Sequence, residues 1–151
     1  MNYWIEVTSG MRWYRLLKEK DVRLDAPNTM RYQNFFKGLK MDDLVFHYLT
    51  GALTPEKEKR SKIVAISRIV SNPIVDGKRI VAKCAETVML PSPVSRYELG
   101  GAHLKSKGLK KLLRVNMQRY LTQISQSDFE SILNVHPANA RRFPKSRRAS
   151  N

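Results

Sequence analysis

The residues whose type and spacing are best suited to chemistry are six cations: Lys105, Lys107, Lys110, Lys111, Arg114 and Arg119. No acid interrupts them, because none occurs between Glu98 and Asp128. Each Lys or Arg that meets a phosphate releases condensed counterions, so such a run predicts salt-sensitive attachment to a nucleic-acid backbone. The sequence around it carries the same sign. From Leu99 to Asn151 there are eleven Lys or Arg residues against only Asp128 and Glu130, a +9 share of the chain's +15. Basic residues also serve plain solubility; their concentration in one third of the chain is what favours phosphate as the partner.

Other reactive types are sparse. His47, His103, His136 and the single Cys84 lack the spacing of a metal site or a disulfide framework. Cys84 lies in an apolar-rich run and reads as a buried, inert thiol. There is no G-x-S-x-G, no H-E-x-x-H, no P-loop and no dinucleotide-binding glycine fingerprint. Asp42-Asp43 and Glu56/Glu58 fall at a turn and in a charged loop, where carboxylates are normally solvated. His47, inside an apolar strand, has an ordinary structural reading. His103, among Gly101, Lys105 and Lys107, either meets phosphate or is an exposed loop residue, and His136 before Pro137 has no expected role. Neither catalysis, a cofactor nor a metal is expected.

The elements that must position the cations read as follows. Tyr3 to Thr8 alternates and is rich in β-formers, a first strand closed by Ser9-Gly10. Ser9 is placed to cap a helix in which Trp13, Leu16 and Leu17 recur at helical spacing. Asn28 or Thr29 can cap a shorter second helix carrying Met30, Tyr32, Phe35 and Phe36 and closed by Gly38. Leu44 to Leu49 is a mostly apolar strand expected to be buried on both faces. Lys62 to Val70 is a third strand, divided by Asn72-Pro73 and Asp76-Gly77 from a fourth, Lys78 to Leu90, which Pro91 and Pro93 should end. One or two helical turns are expected around Leu109 to Leu113. Arg119 to Ile124 reads as a fifth strand, and Ser125 to Asp128 opens a last helix, Gln126 to Val135, stopped by Pro137.

The pattern predicts an α+β domain over residues 1–136, with a small, largely closed sheet, and a basic, mobile tail over 137–151 that includes Arg141 to Arg148. The hairpin of strands three and four excludes a doubly wound sheet. A chain of 151 residues with 42% hydrophobic content is one soluble domain by the usual prior. The opening MNYWIEVTSG does not read as a signal peptide and no apolar run reaches bilayer length, so a cytoplasmic protein without membrane contact is expected.

Several of these segments resemble the EVE domain family of the PUA-like group. Tyr3-Trp4-Ile5-Glu6-Val7-Thr8-Ser9 is similar to its opening Y-W-[LI]-x-x-[TK]-S, and Asp42-Asp43-Leu44-Val45-Phe46-His47-Tyr48 to its G-D-L-V-F-F-Y strand. Arg31-Tyr32-Gln33-Asn34 resembles a shifted part of R-N-Y-Q-A-R-N, and Ile63-Val64-Ala65-Ile66 resembles I-V-G-I. Ile124 to Leu133 is similar to V-T-P-E-E-W-E-R-I-L. The matches run in family order from residue 3 to residue 133. The chain departs from the family at W-D-G, where it has Arg23-Leu24-Asp25-Ala26, and at the turn glycine, which is Asp42.

The resemblance implies a PUA-like barrel of about five to six strands, with helices after strand one and at the C-terminal end. It also implies a pocket that reads a modified base, such as 5-methylcytosine or N6-methyladenine, in DNA or RNA. A base pocket needs an aromatic face and groups that bond the base edge. Trp4, Trp13, Tyr32 and Tyr48 are the aromatic candidates, with core packing the favoured reading of Trp4. Ser9, Asn28, Thr29, Asn34, His47 and Thr50 are the polar candidates. His47 and Tyr48 point to opposite faces of their strand, so only one of them can face a given cavity. The competing expectation is a hydrolase resembling ASCH domains, with Lys62 or Arg119 beside Glu86 or Asp43. A converging Lys–carboxylate pair would mark it.

Overall fold

The computed structural model describes residues 1–51, 54–102 and 104–142, the last two of them by backbone alone. His103 and the tail beyond residue 142 lie outside the described residues, as do the side chains of Arg141 and Arg142. In chain order the elements are β1 (Tyr3–Thr8), α1 (Gly10–Lys18), β2 (Arg23–Pro27), α2 (Met30–Phe35), β3 (Leu44–Leu49), β4 (Lys62–Ile69), β5 (Ile74–Asp76) and β6 (Arg79–Ser95). The chain continues through α3 (Arg96–Gly101), α4 (Lys107–Arg114), β7 (Leu121–Ile124), α5 (Gln126–Asn134) and α6 (Pro137–Arg142).

The strands form one sheet in the order β2-β6-β4-β3-β1-β7, with β5 paired to β6. Among the described residues only β1 and β3 run parallel, in the register Tyr3↔Leu44 to Thr8↔Leu49; the other pairs are antiparallel. The sheet curls into a half-barrel, so its two ends come together. The hydroxyl of Tyr120, just before β7, accepts a hydrogen bond of 2.9 Å from the Asp25 amide on β2. This is the expected α+β class with a small, curled sheet, with two more strands than the sequence pattern suggested.

Alternation of side chains sends each strand's residues to two different cores. Tyr3, Ile5, Leu44, Phe46 and Tyr48 pack on one face with Leu99, Leu109, Leu112, Phe129 and Ile132 from the helices. Trp4, Val45, Ile69, Leu24, Ala82 and Leu121 line the concave face. All of β3 is buried, as its apolar run predicts. Ser9, Thr29 and Ser125 cap α1, α2 and α5 as expected, each hydroxyl accepting from a first-turn amide.

Three expectations are corrected. Pro91 and Pro93 do not end β6, which runs on to Ser95. They fall where the pairing jumps from Ala65↔Met89 to Ile63↔Val94, an irregularity in which a missing N–H costs no ladder bond. Arg23 to Pro27 and Ile74 to Asp76 are strands because both pair with the start of β6, β2 with its residues 79–83 and β5 with its residues 79–81, a partner invisible in either local sequence. Pro137 does not close the fold but opens α6, where a proline's missing N–H is not needed. The Asn139 side chain, fully buried in that helix, accepts from the Ser92 amide at 3.0 Å and donates to its carbonyl at 2.8 Å. The ordered fold therefore extends past the expected boundary at residue 136.

Gly108 sets how closely α4 approaches the sheet. A Cβ there would lie 2.6 Å from the Gln123 carbonyl oxygen of β7. Gly108→Ala should therefore lower stability by about 1–3 kcal/mol in urea unfolding, despite alanine's better helix propensity. An unchanged midpoint would show that α4 sits farther from β7.

Candidate nucleic-acid interface

α4 presents the charge. Lys107, Lys110, Lys111 and Arg114 recur at i, i+3, i+4 and i+7 and are exposed, while Leu109 and Leu112 are buried beneath them. Ser106 caps the helix through the Leu109 amide at 3.3 Å. The buried Asp128 carboxylate accepts the Lys105 and Ser106 amides, each at 2.7 Å, which ties the start of α4 to α5. Burial opposes ionisation of Asp128, yet these donors and the charge of Lys110 hold its carboxyl below the ordinary range. One of the two acids in the basic third is thus held inside the fold, beside Lys110, while the stripe on α4 faces solvent.

Beside the stripe lies a cleft of about 270 Å³ between α2 and α4, over β7. Lys37 and Lys111 stand on its walls with Asn34, Phe35 and Gln123, and Arg119 completes it. The Arg119 guanidinium carbon sits 5.2 Å from the centre of the Phe35 ring, a cation–π contact that fixes it at the cleft. Of the expected phosphate ligands, Lys111 and Arg119 line this cleft, and Lys107, Lys110 and Arg114 continue from it along α4. Lys105 is exposed just before the helix.

The expected base-pocket residues divide into separate places. Ser9, Trp13, His47 and Thr50 gather where β1 and β3 end side by side, with the Thr50 amide bonded to the Thr8 carbonyl at 2.9 Å. Trp13 is 1% exposed and lies against His47 with ring centres 4.5 Å apart, a closed contact. Tyr48 points to the opposite, helix-covered face of the sheet. Strand register thus selects His47, and Tyr48 cannot share a cavity with it. Asn28 accepts a bond of 2.8 Å from Gln33, and Thr29 is occupied as the α2 cap. Tyr32 packs edge-on against Tyr120. Of the set, Asn34 and Trp4 reach the basic cleft. The residues not foreseen there are Phe35, Lys37 and Gln123. They are spread over α2, its following turn and an edge strand, with no linear motif to join them.

Inside the barrel His47 belongs to a chain of hydrogen bonds. Its Nδ1 bonds Glu6 at 2.8 Å and its Nε2 bonds the Ser67 hydroxyl at 2.7 Å, which in turn meets Thr87 at 2.8 Å. Glu6 also accepts from Arg12 at 3.3 Å and from the Tyr120 hydroxyl at 2.6 Å. Burial opposes ionisation of Glu6, but His47, Arg12 and Tyr120 together hold its pKa below the ordinary value of 4.5. The order Ser67–His47–Glu6 resembles a nucleophile–base–carboxylate relay. All three residues, however, are at most 1% exposed, so the hydroxyl meets no substrate and the chain serves as interior bonding. Burial pushes the Cys84 thiol well above its ordinary pKa, as expected for an inert thiol. Of the expected hydrolase groups, Glu86 pairs with Arg68 at 2.7 Å, and Asp43 is buried on the Trp4 indole N–H at 3.0 Å. Among the described residues no group of three or more His, Cys, Asp or Glu side chains could hold a metal ion.

The depressed pKa of Glu6 has a definite pH signature. A carboxylate whose folded pKa lies below its unfolded one stabilises the fold above the unfolded value, and that contribution disappears as pH falls through the folded one. Glu6→Gln should lower stability by about 1–3 kcal/mol near neutrality. The gap to wild type should narrow as pH drops below 4.5, measured by urea unfolding across acid pH. A gap that stayed constant with pH would mean that Glu6 gains nothing from ionising.

Comparison with known proteins gives a consistent picture. The sequence model of the EVE domain matches residues 2–135. Among curated proteins none matches the chain in sequence. The fold is similar to protein Atu2648 from Agrobacterium tumefaciens, at 17% identity and a TM-score of 0.66, covering 95% of this chain and 97% of that one. It is also similar to human THYN1, solved in complex with DNA containing 5-methylcytosine, at 14% identity and a TM-score of 0.64, covering 89% and 97% of the two chains. A third likeness is the N-terminal domain of Staphylothermus marinus McrB, at 13% identity and a TM-score of 0.57, covering 87% and 93%.

Proposed function

Because the chain belongs to the EVE domain family, we propose that it is a non-catalytic nucleic-acid-binding module that reads a modified base in DNA or RNA. The observation that carries this reading is the unbroken basic surface running from Lys37 and Arg119 in the cleft along Lys111, Lys107, Lys110 and Arg114 of α4. Such a surface attracts a polyphosphate backbone and gains affinity by releasing its counterions. The likeness to human THYN1, which is bound to methylated DNA, supports a modified base as the discriminating feature. The wholly buried Ser67–His47–Glu6 chain supports a binding role over hydrolysis.

Binding to matched oligonucleotides, single- and double-stranded, plain and carrying 5-methylcytosine or N6-methyladenine, tests the reading at two salt concentrations. One modified ligand should bind more tightly than its plain counterpart at both. Indifference to every modification would leave only a backbone binder. Lys110→Ala should weaken all ligands alike and reduce the slope of log affinity on log salt by about 1. Trp13→Ala is a poor probe of reading, since emptying that core site should cost about 3–5 kcal/mol of stability. Thermal unfolding of this variant should show that loss directly, and a wild-type midpoint would contradict the closed Trp13–His47 packing.

A further inference from the structure

We propose that the cleft between α2 and α4 is the seat of one unpaired nucleotide of a DNA or RNA strand, an assignment that rests on the nucleic-acid reading above. Its floor is a sheet edge. Among the described residues β7 pairs only with β1, in the register Ile5↔Thr122 and Trp4↔Gln123. Val7 donates to the Tyr120 carbonyl at 2.8 Å, so the bonded positions of β7 alternate from Tyr120, and the backbone groups of Leu121 and Gln123 point away from the sheet. An edge of this kind offers donors and acceptors in the fixed spacing that a base edge can meet. α4 covers only its Gln123 end, through the close approach of Gly108.

The side chains add what a nucleotide needs. Asn34 and Gln123 bring amides that both donate and accept, and both residues are exposed. The Thr122 hydroxyl, in a residue 6% exposed, has no hydrogen-bond partner among the described residues. Arg119, held over Phe35, supplies a guanidinium plane on which an unpaired base can stack, while Lys37 and Lys111 stand ready for the phosphates. Trp4 and Leu121 make the rest of the lining apolar, which suits the face of a base and not a bare phosphate. A cleft of about 270 Å³ is smaller than a drug-sized site and walled on two sides, so it admits one nucleotide and excludes a base pair still stacked in a duplex.

Fluorescence anisotropy on the full chain tests this with a single-stranded DNA, a single-stranded RNA and a DNA duplex of one sequence. Asn34→Ala/Gln123→Ala alters two exposed side chains, and its fold is checked by thermal unfolding. It should weaken both single strands by about tenfold, leave the salt slope unchanged and spare the duplex. Arg119→Lys keeps the charge and loses the stacking plane, so it should reproduce the single-strand loss. Arg114→Ala, outside the cleft, should weaken all three ligands. Single strands bound as tightly by the double variant as by wild type, or a loss shared equally by the duplex, would overturn the cleft assignment while leaving nucleic-acid binding intact. A wild-type protein that bound none of the three would overturn both. If only the DNA or only the RNA arm responds, the cleft is assigned to that strand and excluded for the other.

Discussion

Glu6 is ionised in the interior, at 1% exposure, and it survives there because three other parts of the chain supply its hydrogen bonds. His47 comes from β3, Arg12 from α1 and Tyr120 from the approach to β7. The same Tyr120 hydroxyl takes the Asp25 amide of β2, and Arg12 donates to the Arg23 and Asp25 carbonyls. One carboxylate on β1, next to the β7 end of the sheet, therefore connects through Tyr120 and Arg12 to β2 at the other end. Removing one partner of such a group leaves a charge buried and unpaired, which typically costs about 3–5 kcal/mol. The half-barrel, the orientation of α1 and the inward rotation of His47 all follow from keeping that group satisfied.

Two other buried acids act in the same way on a smaller scale. Asp43 accepts the amides of Asn2 and Lys40 and the indole N–H of Trp4. Asp128 accepts the amides that begin α4. Each satisfies backbone donors that a helix or turn would otherwise leave orphaned. A consequence reaches the surface. Asp128 anchors the start of the helix that carries the cations and also feels the charge of Lys110, so it fixes where the positive stripe lies.

The cleft lies along the outer edge of the last strand. β7 has four residues where β1 has six, and it lies at the end of the sheet. An exposed strand edge is normally blunted by a covering element or by charge. Here α4 covers one end, and Lys37, Lys111 and Arg119 ring the remainder, so the protection against self-pairing also produces a polar floor inside a basic rim.

Periodicity and caps made most of the fold legible in the sequence. Ser9, Thr29 and Ser125 announced their helices, the apolar run Leu44 to Leu49 announced a strand buried on both faces, and the leucines at 109, 112 and 113 fixed which side of α4 would carry charge. These depend on residues a few positions apart, and local physics suffices for them. β2 and β5 were not legible, because each exists only by pairing with β6, and neither were the prolines tolerated inside β6. The position of the site depended on the tertiary structure still more. Whether His47 or Tyr48 faces the interior is a matter of register, which closes only when Glu6 finds its partners. Asn34, Lys37, Lys111, Arg119 and Gln123 are brought to one cleft from three parts of the chain. The sequence by itself determined the sign and amount of charge and the helix that carries it. Only the folded chain decided which of those cations share a cavity, since that is set by contacts between residues far apart in sequence.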